Sequence, residues 1–206
     1  MVEKIKIHGF PLSGHSHRVE LFANLAGIPH VMVFVDLAKG EHKGDAFLKK
    51  NPFGQVPVVE DGDFLLSDSN AILLYLARKY ATNWLPNTPE GDAEVQRMLS
   101  LAAGEVANGP AAARLITLFG APLDVERVKT VAEVALGRLE AHLEGRTWTV
   151  GSTATIADVA LYSYIAHAPE GNVSLEPYPN IQSWLKRVEA LDGFVPMPAS
   201  KVGLAA

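Results

Sequence analysis

Two serines and a short polar run stand where this chain could handle an anion. Ser13 and Ser16 lie in Gly9-Phe10-Pro11-Leu12-Ser13-Gly14-His15-Ser16, just ahead of an apolar periodic stretch. A hydroxyl beside a helix start can donate a hydrogen bond to an anion, and the helix dipole adds to the attraction. Ser67, Asp68, Ser69 and Asn70 hold the same position before Ile72, Leu73, Leu76 and Tyr80. Such residues also cap helices in proteins with no ligand, and for Ser16 capping is the plainer reading. Ser13 stands three residues further out, too early to cap the helix that Ser16 would open, so a ligand role gains ground there.

Other chemistries fit the residues less well. A serine-hydrolase elbow would need Gly-x-Ser-x-Gly, and Leu12-Ser13-Gly14-His15-Ser16 lacks the first glycine. His8, His15 and His17 share no carboxylate or cysteine at ligand spacing, so no metal is expected. Gly40 and Gly44, with their neighbouring lysines, do not fit a phosphate loop.

The elements that must position these serines follow from periodicity. Ile5 and Ile7 alternate with Lys4, Lys6 and His8, predicting a strand that the Gly9–Gly14 segment breaks into a loop. Val19, Leu21, Phe22, Leu25 and Ala26 predict a helix stopped by Gly27 and Pro29, and Val31 to Val35 a second strand, parallel to the first. Residues 36 to 50 read as a loop with a short helix. Val56 to Val59, a turn at Asp61-Gly62 and Phe64 to Leu66 predict a hairpin, followed by the helix that Asp68 and Ser69 open. The order over residues 1–80 is therefore β-α-β-α-β-β-α. Residues 81–92, with two prolines and a glycine, predict a linker, and residues 93–206 an all-helical second domain. Within it, helices are expected from about Ala93 to Phe119, interrupted near Asn108 by Gly109-Pro110, and from Leu123 to Leu143. Thr147 to Ser152 is expected to be extended. Thr155-Ile156-Ala157-Asp158 resembles a capping box ahead of a buried helix, Pro179 opens a last helix, and the tail after Pro196 is expected to be loose.

Composition narrows the partners. The chain has 206 residues, 48% of them hydrophobic, enough for real cores in two small domains. Its net charge is −5 and its 18 Lys and Arg residues are scattered, which speaks against a nucleic-acid or membrane surface and for a small molecule. Without a long apolar run or a basic-then-apolar start, a cytoplasmic location is expected. There is no cysteine, so any sulfur chemistry must use a ligand's sulfur.

Over its full length the chain resembles the cytosolic glutathione S-transferases, and within them it is similar to the serine-type, phi-like group. The likeness is carried by Ser13 ahead of Arg18-Val19, by Glu41-His42-Lys43, by Asn51-Pro52-Phe53-Gly54-Gln55-Val56-Pro57 and by Asp68-Ser69-Asn70-Ala71-Ile72. In the second half, Ala154 to Asp158 and Tyr178-Pro179-Asn180-Ile181 with Trp184 carry it. The resemblance implies an α/β thioredoxin-like first domain, a helical-bundle second domain and a homodimer. It implies conjugation of the glutathione thiolate to small, mostly apolar electrophiles, with glutathione as co-substrate and no tightly bound cofactor. On the same fold, a glutathione-dependent isomerase, dehalogenase or peroxidase, or a non-catalytic binder, is the alternative.

Carried over by resemblance, Ser13 is the catalytic hydroxyl that keeps the thiol ionised. Asp68 and Ser69 meet the γ-glutamyl end, the Ser69 hydroxyl and the helix N–H groups on its carboxylate and Asp68 near its ammonium. His42 and Lys43 meet the glycyl carboxylate. Val56, held by a cis bond to Pro57, pairs with the cysteinyl backbone, and Gln55 adds a contact beside it. The apolar substrate is expected against Leu12, Leu115 and Phe119. Relatives of this type often carry Glu-Ser-Arg where this chain has Asp68-Ser69-Asn70, a shorter acid and one cation fewer.

Overall fold

In a computed structural model that describes residues 4–206, the first strand, β1 (Ile5–Gly9), forms as the alternation requires. Ile5 and Ile7 are buried on one face, while Lys6 and His8 lie on the other against Glu60. The first three residues, where the expected first domain begins, lie outside the described residues. β2 (His30–Phe34) runs parallel to β1, and β3 (Val58–Asp61) and β4 (Phe64–Ser67) complete a sheet of order β2-β1-β3-β4 in which β3 is antiparallel to both neighbours. Between these strands come α1 (Gly14–Leu25) and α2 (Asp45–Leu48), and after them α3 (Ser69–Tyr80). The expected β-α-β-α-β-β-α order is observed. A thioredoxin-like first half is thus followed by an all-helical second half, the architecture that the resemblance implied.

Register decides where the polar residues gather. His8 pairs with Val58 and Val58 with Ser67, while Gly9 pairs with Phe34. The end of β1, the start of β3 and the end of β4 thus share one edge of the sheet, and the chain enters α1 and α3 from that edge. The hairpin differs in detail from expectation. Asp61 pairs with Phe64, so the two-residue loop is Gly62-Asp63, with Gly62 at φ 59, and β3 begins at Val58.

The chain divides into two compact units, one reaching to Thr82 and joined by Leu191–Pro198, the other Asn83–Ala190 with Ala199–Ala206. Where a linker over residues 81–92 was expected, Ala81 is buried, Thr82–Trp84 form a 3₁₀ turn, and α4 (Pro89–Leu101) has already begun. Thr88 accepts from the Gly91 N–H and Pro89 occupies the first helical position, a start signal stronger than the apolar periodicity that pointed to Ala93.

α4 runs on through a π-helical segment, Ala102–Ala111, into α5 (Ala112–Phe119). The segment contains Pro110 and meets the expected interruption near Asn108. A Cβ on Gly109 would stand 2.7 Å from the Ala132 backbone, so α6 (Val125–Leu143), which carries Ala132, packs directly on this turn. α7 (Ile156–Ala166) and α8 (Pro179–Glu189) follow. Residues 147–152 form turns and bends rather than an extended strand. Nor is the tail loose: Met197 is buried, Ser200 N–H donates to Glu170 Oε1 at 2.9 Å, and Glu170 pairs inside the unit with Arg114.

α7 is buried on nearly all sides, and its start is closed by its own residues. Thr155 and Asp158 form the expected capping box. The Asp158 carboxylate is fully buried and accepts from Thr149 N–H and Oγ1, both at 3.0 Å, from Thr155 N–H at 2.9 Å and from Trp184 Nε1 at 2.9 Å.

Candidate active site at the sheet edge

The α1 start differs from the expected one. The helix begins at Gly14, and Ser13, not Ser16, is its N-cap, with φ −88 and ψ 113 and its Oγ accepting from the Ser16 N–H at 3.3 Å. Ser16, in the first turn, is 1% exposed and its Oγ accepts from Phe10 N–H. The apolar pattern places the helix but leaves its first turn open, because Gly14, His15 and Ser16 carry no periodic signal. Ser13 is half-buried, and its hydroxyl proton has no acceptor among the described residues. The cap bond takes only an oxygen lone pair, so the hydroxyl remains a donor at the helix mouth.

At the other mouth, Asp68 caps α3 with an unusual backbone, φ 74 and ψ 116, and its Oδ1 accepts from the Ala71 N–H at 2.9 Å. A non-glycine residue at such a φ is uncommon and clusters at functional sites. Asp68 is exposed, whereas Ser69 is 4% exposed with its hydroxyl turned inward. Arg18 Nη1 donates to Ser69 Oγ at 2.8 Å and to Asn70 Oδ1 at 2.8 Å, and His15 Nδ1 lies 3.1 Å from Ser69 Oγ. The Ser69 main-chain N–H has no acceptor among the described residues. The Ser69 hydroxyl is thus engaged within the unit by Arg18 and His15. Burial, then the Arg18 guanidinium, pushes the His15 imidazole down to about 3, so it is neutral at physiological pH.

Between these mouths lies Val56–Pro57, whose bond is cis as the resemblance implied. Val56 is half-buried against Val35, Phe47 and Val58, and neither its N–H nor its C=O has a partner among the described residues. An unpaired main-chain pair ahead of a strand can accept one residue of an extended peptide. Gln55 is exposed, and its carbonyl accepts from Asn51 Nδ2 at 2.8 Å, which fixes the turn.

His42 and Lys43 fall in a 3₁₀ turn, Glu41–Lys43. Lys43 Nζ donates to the Gly54 carbonyl at 3.0 Å, and a Cβ on Gly54 would stand 2.8 Å from the His42 carbonyl, so this turn and the 51–57 loop are in contact. His42 Nδ1 is buried with no partner among the described residues, a state that a polar atom holds only at a cost.

The three histidines weighed for a metal go to separate partners: His8 to Glu60, His15 to Ser69 and His17 to the Val195 carbonyl. Leu12 is half-buried in the first unit, and Leu115 and Phe119 are exposed one turn apart on α5 in the second. Sequence reasoning overlooked His15 as a site neighbour and used Arg18 only as part of a motif. One signal was available: Arg18 stands three and four residues before Leu21 and Phe22, on the face that α1 buries, where a charge needs polar partners.

The geometry agrees with the comparisons to known proteins. The model of the glutathione S-transferase N-terminal domain matches residues 12–79 and that of the C-terminal domain residues 120–192. The chain is 35% identical to human glutathione S-transferase theta-2, over 88% of this chain and 79% of that one. A glutathione S-transferase from Pseudomonas fluorescens superposes with a TM-score of 0.90 at 33% identity, covering 96% of this chain and 100% of the other. A glutathione transferase homolog from Drosophila mojavensis, solved with bound glutathione, gives a TM-score of 0.84 at 30% identity, covering 91% and 88%. Sequence and fold agree, and the chain belongs to the glutathione S-transferase family of enzymes.

Proposed function

We propose that this transferase conjugates the glutathione thiolate to small, mostly apolar electrophiles, and that the Ser13 hydroxyl keeps the sulfur ionised. One observation carries the assignment to Ser13: its cap bond leaves the O–H proton available at the α1 mouth, while Ser16 is buried and bonded inward. A free thiol titrates near 8.5, and a donated hydrogen bond together with the helix field lowers that value. Ser13 acts as a donor and neither as base nor as nucleophile; the bound thiolate forms a C–S bond at an electrophilic carbon as the leaving group departs from it or, in an addition, as the atom that receives the displaced electron pair takes up a proton.

The remaining contacts follow the tripeptide. The γ-glutamyl carboxylate lies at the α3 mouth on the Ser69 hydroxyl and the helix N–H groups, with the exposed Asp68 carboxylate near the ammonium. The cysteinyl unit pairs with Val56 beside Pro57 and Gln55. The glycyl carboxylate meets His42 and Lys43, and supplies an anionic partner for His42 Nδ1, which has none among the described residues. Leu12 supplies apolar surface for the electrophile on the first unit. The phi-like grouping, the homodimer and the cytoplasmic location belong to the same proposal; among the described residues no helix is long and apolar enough to cross a membrane.

Retention on immobilised glutathione, followed by aryl-halide conjugation with wild type and Ser13→Ala, tests this reading. Retention of both proteins with conjugation lost in the variant supports it. No retention of the wild type overturns glutathione as co-substrate, and equal turnover removes the role from Ser13.

A further inference from the structure

The turn that carries Ser13 is closed by hydrogen bonds, two of which run through one residue, Ser16. The Phe10 carbonyl accepts from the Ser13 N–H at 2.9 Å, closing a β-turn with Pro11 at its favoured second position. The Ser16 N–H donates to Ser13 Oγ at 3.3 Å, and Ser16 Oγ accepts from the Phe10 N–H at 3.2 Å. Ser16 thus grips the turn at both ends, by its main chain at the exit and by its hydroxyl at the entry. The strand beneath leaves room for this grip. A Cβ on Gly9 would stand 2.9 Å from Ser16 Cβ and 3.1 Å from Ser16 Oγ. Gly9 ends β1 without a positive φ, so glycine stands there for close approach rather than for conformation. Capping does not account for the buried Ser16 hydroxyl, because Ser13 already caps α1.

We propose that Ser16 is the positioning residue for Ser13: its hydroxyl fastens the entry of the Phe10–Ser13 turn to the first turn of α1 and so holds the Ser13 hydroxyl at the helix mouth. The cap bond fixes the Ser13 oxygen and leaves its proton to the sulfur, a geometry that lasts only while the turn stays on the helix. Without the Ser16 hydroxyl the Phe10 N–H loses its acceptor, the turn is held at its exit alone, and the Ser13 donor faces the sulfur for a smaller share of the time. A donor that must be ordered at the moment of reaction stabilises charge less than one already in place. The inference deepens the reading of Ser13 as the ionising hydroxyl and rests on it for its effect on the thiol; the grip on the turn stands apart from that reading.

The test follows thiolate absorbance of bound glutathione against pH in wild type, Ser13→Ala, Ser16→Ala and the double variant, with amide hydrogen exchange at Phe10 measured in wild type and Ser16→Ala. Ser16→Ala should speed exchange at Phe10 by about five- to tenfold, the loss of one hydrogen bond. It should also raise the thiol titration by about half a unit, which lowers kcat/KM about threefold at a pH below that titration. In the Ser13→Ala background the same substitution should move the titration no further, because the group it positions is gone. Three results overturn the proposal. Unchanged exchange at Phe10 removes the grip; faster exchange with an unmoved titration leaves Ser16 a purely structural residue; additive shifts in the double variant give Ser16 its own route to the sulfur. If wild type binds no glutathione, or Ser13→Ala titrates as wild type does, the functional reading falls by itself. Exchange at Phe10 then decides the grip alone, faster in Ser16→Ala supporting it and unchanged refuting it.

Discussion

The starts of α3 and α7 use the same chemistry to opposite ends. At α7, Thr155 and Asp158 cap the helix, and Asp158 also gathers Thr149 and the Trp184 indole, so donors from Thr149, Thr155 and Trp184 all end on one buried carboxylate. At α3, Asp68 caps the Ala71 N–H, holds an unusual backbone to do so, and leaves the Ser69 N–H without an acceptor among the described residues. A helix start closed by its own residues is a structural joint. One capped in part, at a sheet edge beside a second half-exposed cap, is prepared for an anion from outside.

Breaking the closed start should have the largest effect. Asp158→Ala strands several buried donors and should cost about 3–5 kcal/mol, the range for removing one partner of a buried charged network. At about 2–4 °C per kcal/mol, thermal unfolding should shift down by roughly ten degrees. At the open start of α1, Ser13→Ala should lower kcat/KM by about ten- to a thousandfold, in the range of losing one preorganised donor. The lost cap should cost only about 1 kcal/mol of stability. Steady-state kinetics beside a melting curve separates the two effects.

Asp68→Asn sharpens the comparison at α3, since Asn tolerates the positive φ and can still cap. Its KM for glutathione should rise about two- to fivefold, the worth of an exposed ion pair, with an unchanged melting temperature. The smallest effect lies behind the sheet edge. Lys50, then Lys6 and His8, hydrogen-bond Glu60 and hold its carboxyl at about 2, partial burial opposing them. A depressed value in the folded state adds stability above the ordinary carboxylate range, and this is lost as pH falls from about 4.3 toward 2. Acid unfolding followed over that window should be shallower in Glu60→Gln than in wild type.

Much of this architecture was legible because periodicity reports burial. The order of strands and helices in the first half, the capping box at Thr155 and the interruption at Gly109-Pro110 all follow from side-chain spacing. Spacing does not report where a polar first turn begins. Gly14, His15 and Ser16 carry no apolar signal, so the α1 cap was expected at Ser16 and is found at Ser13. The same limit placed the α4 start near Ala93, when Thr88 and Pro89 had already set it. Resemblance proposes Ser13, His42, Val56 and Asp68 as site residues, but nothing in the spacing signals the inward turn of the Ser69 hydroxyl. It depends on Arg18 and His15, more than fifty residues away in sequence, and on their being buried together.

The thiol titration of glutathione bound to this protein tests the central claim most directly, followed as thiolate absorbance against pH in wild type and Ser13→Ala. Wild type should hold the thiol well below its free value near 8.5, and the variant should return it upward by about one unit or more. Identical titrations in the two proteins would contradict the account and take the ionising role away from Ser13.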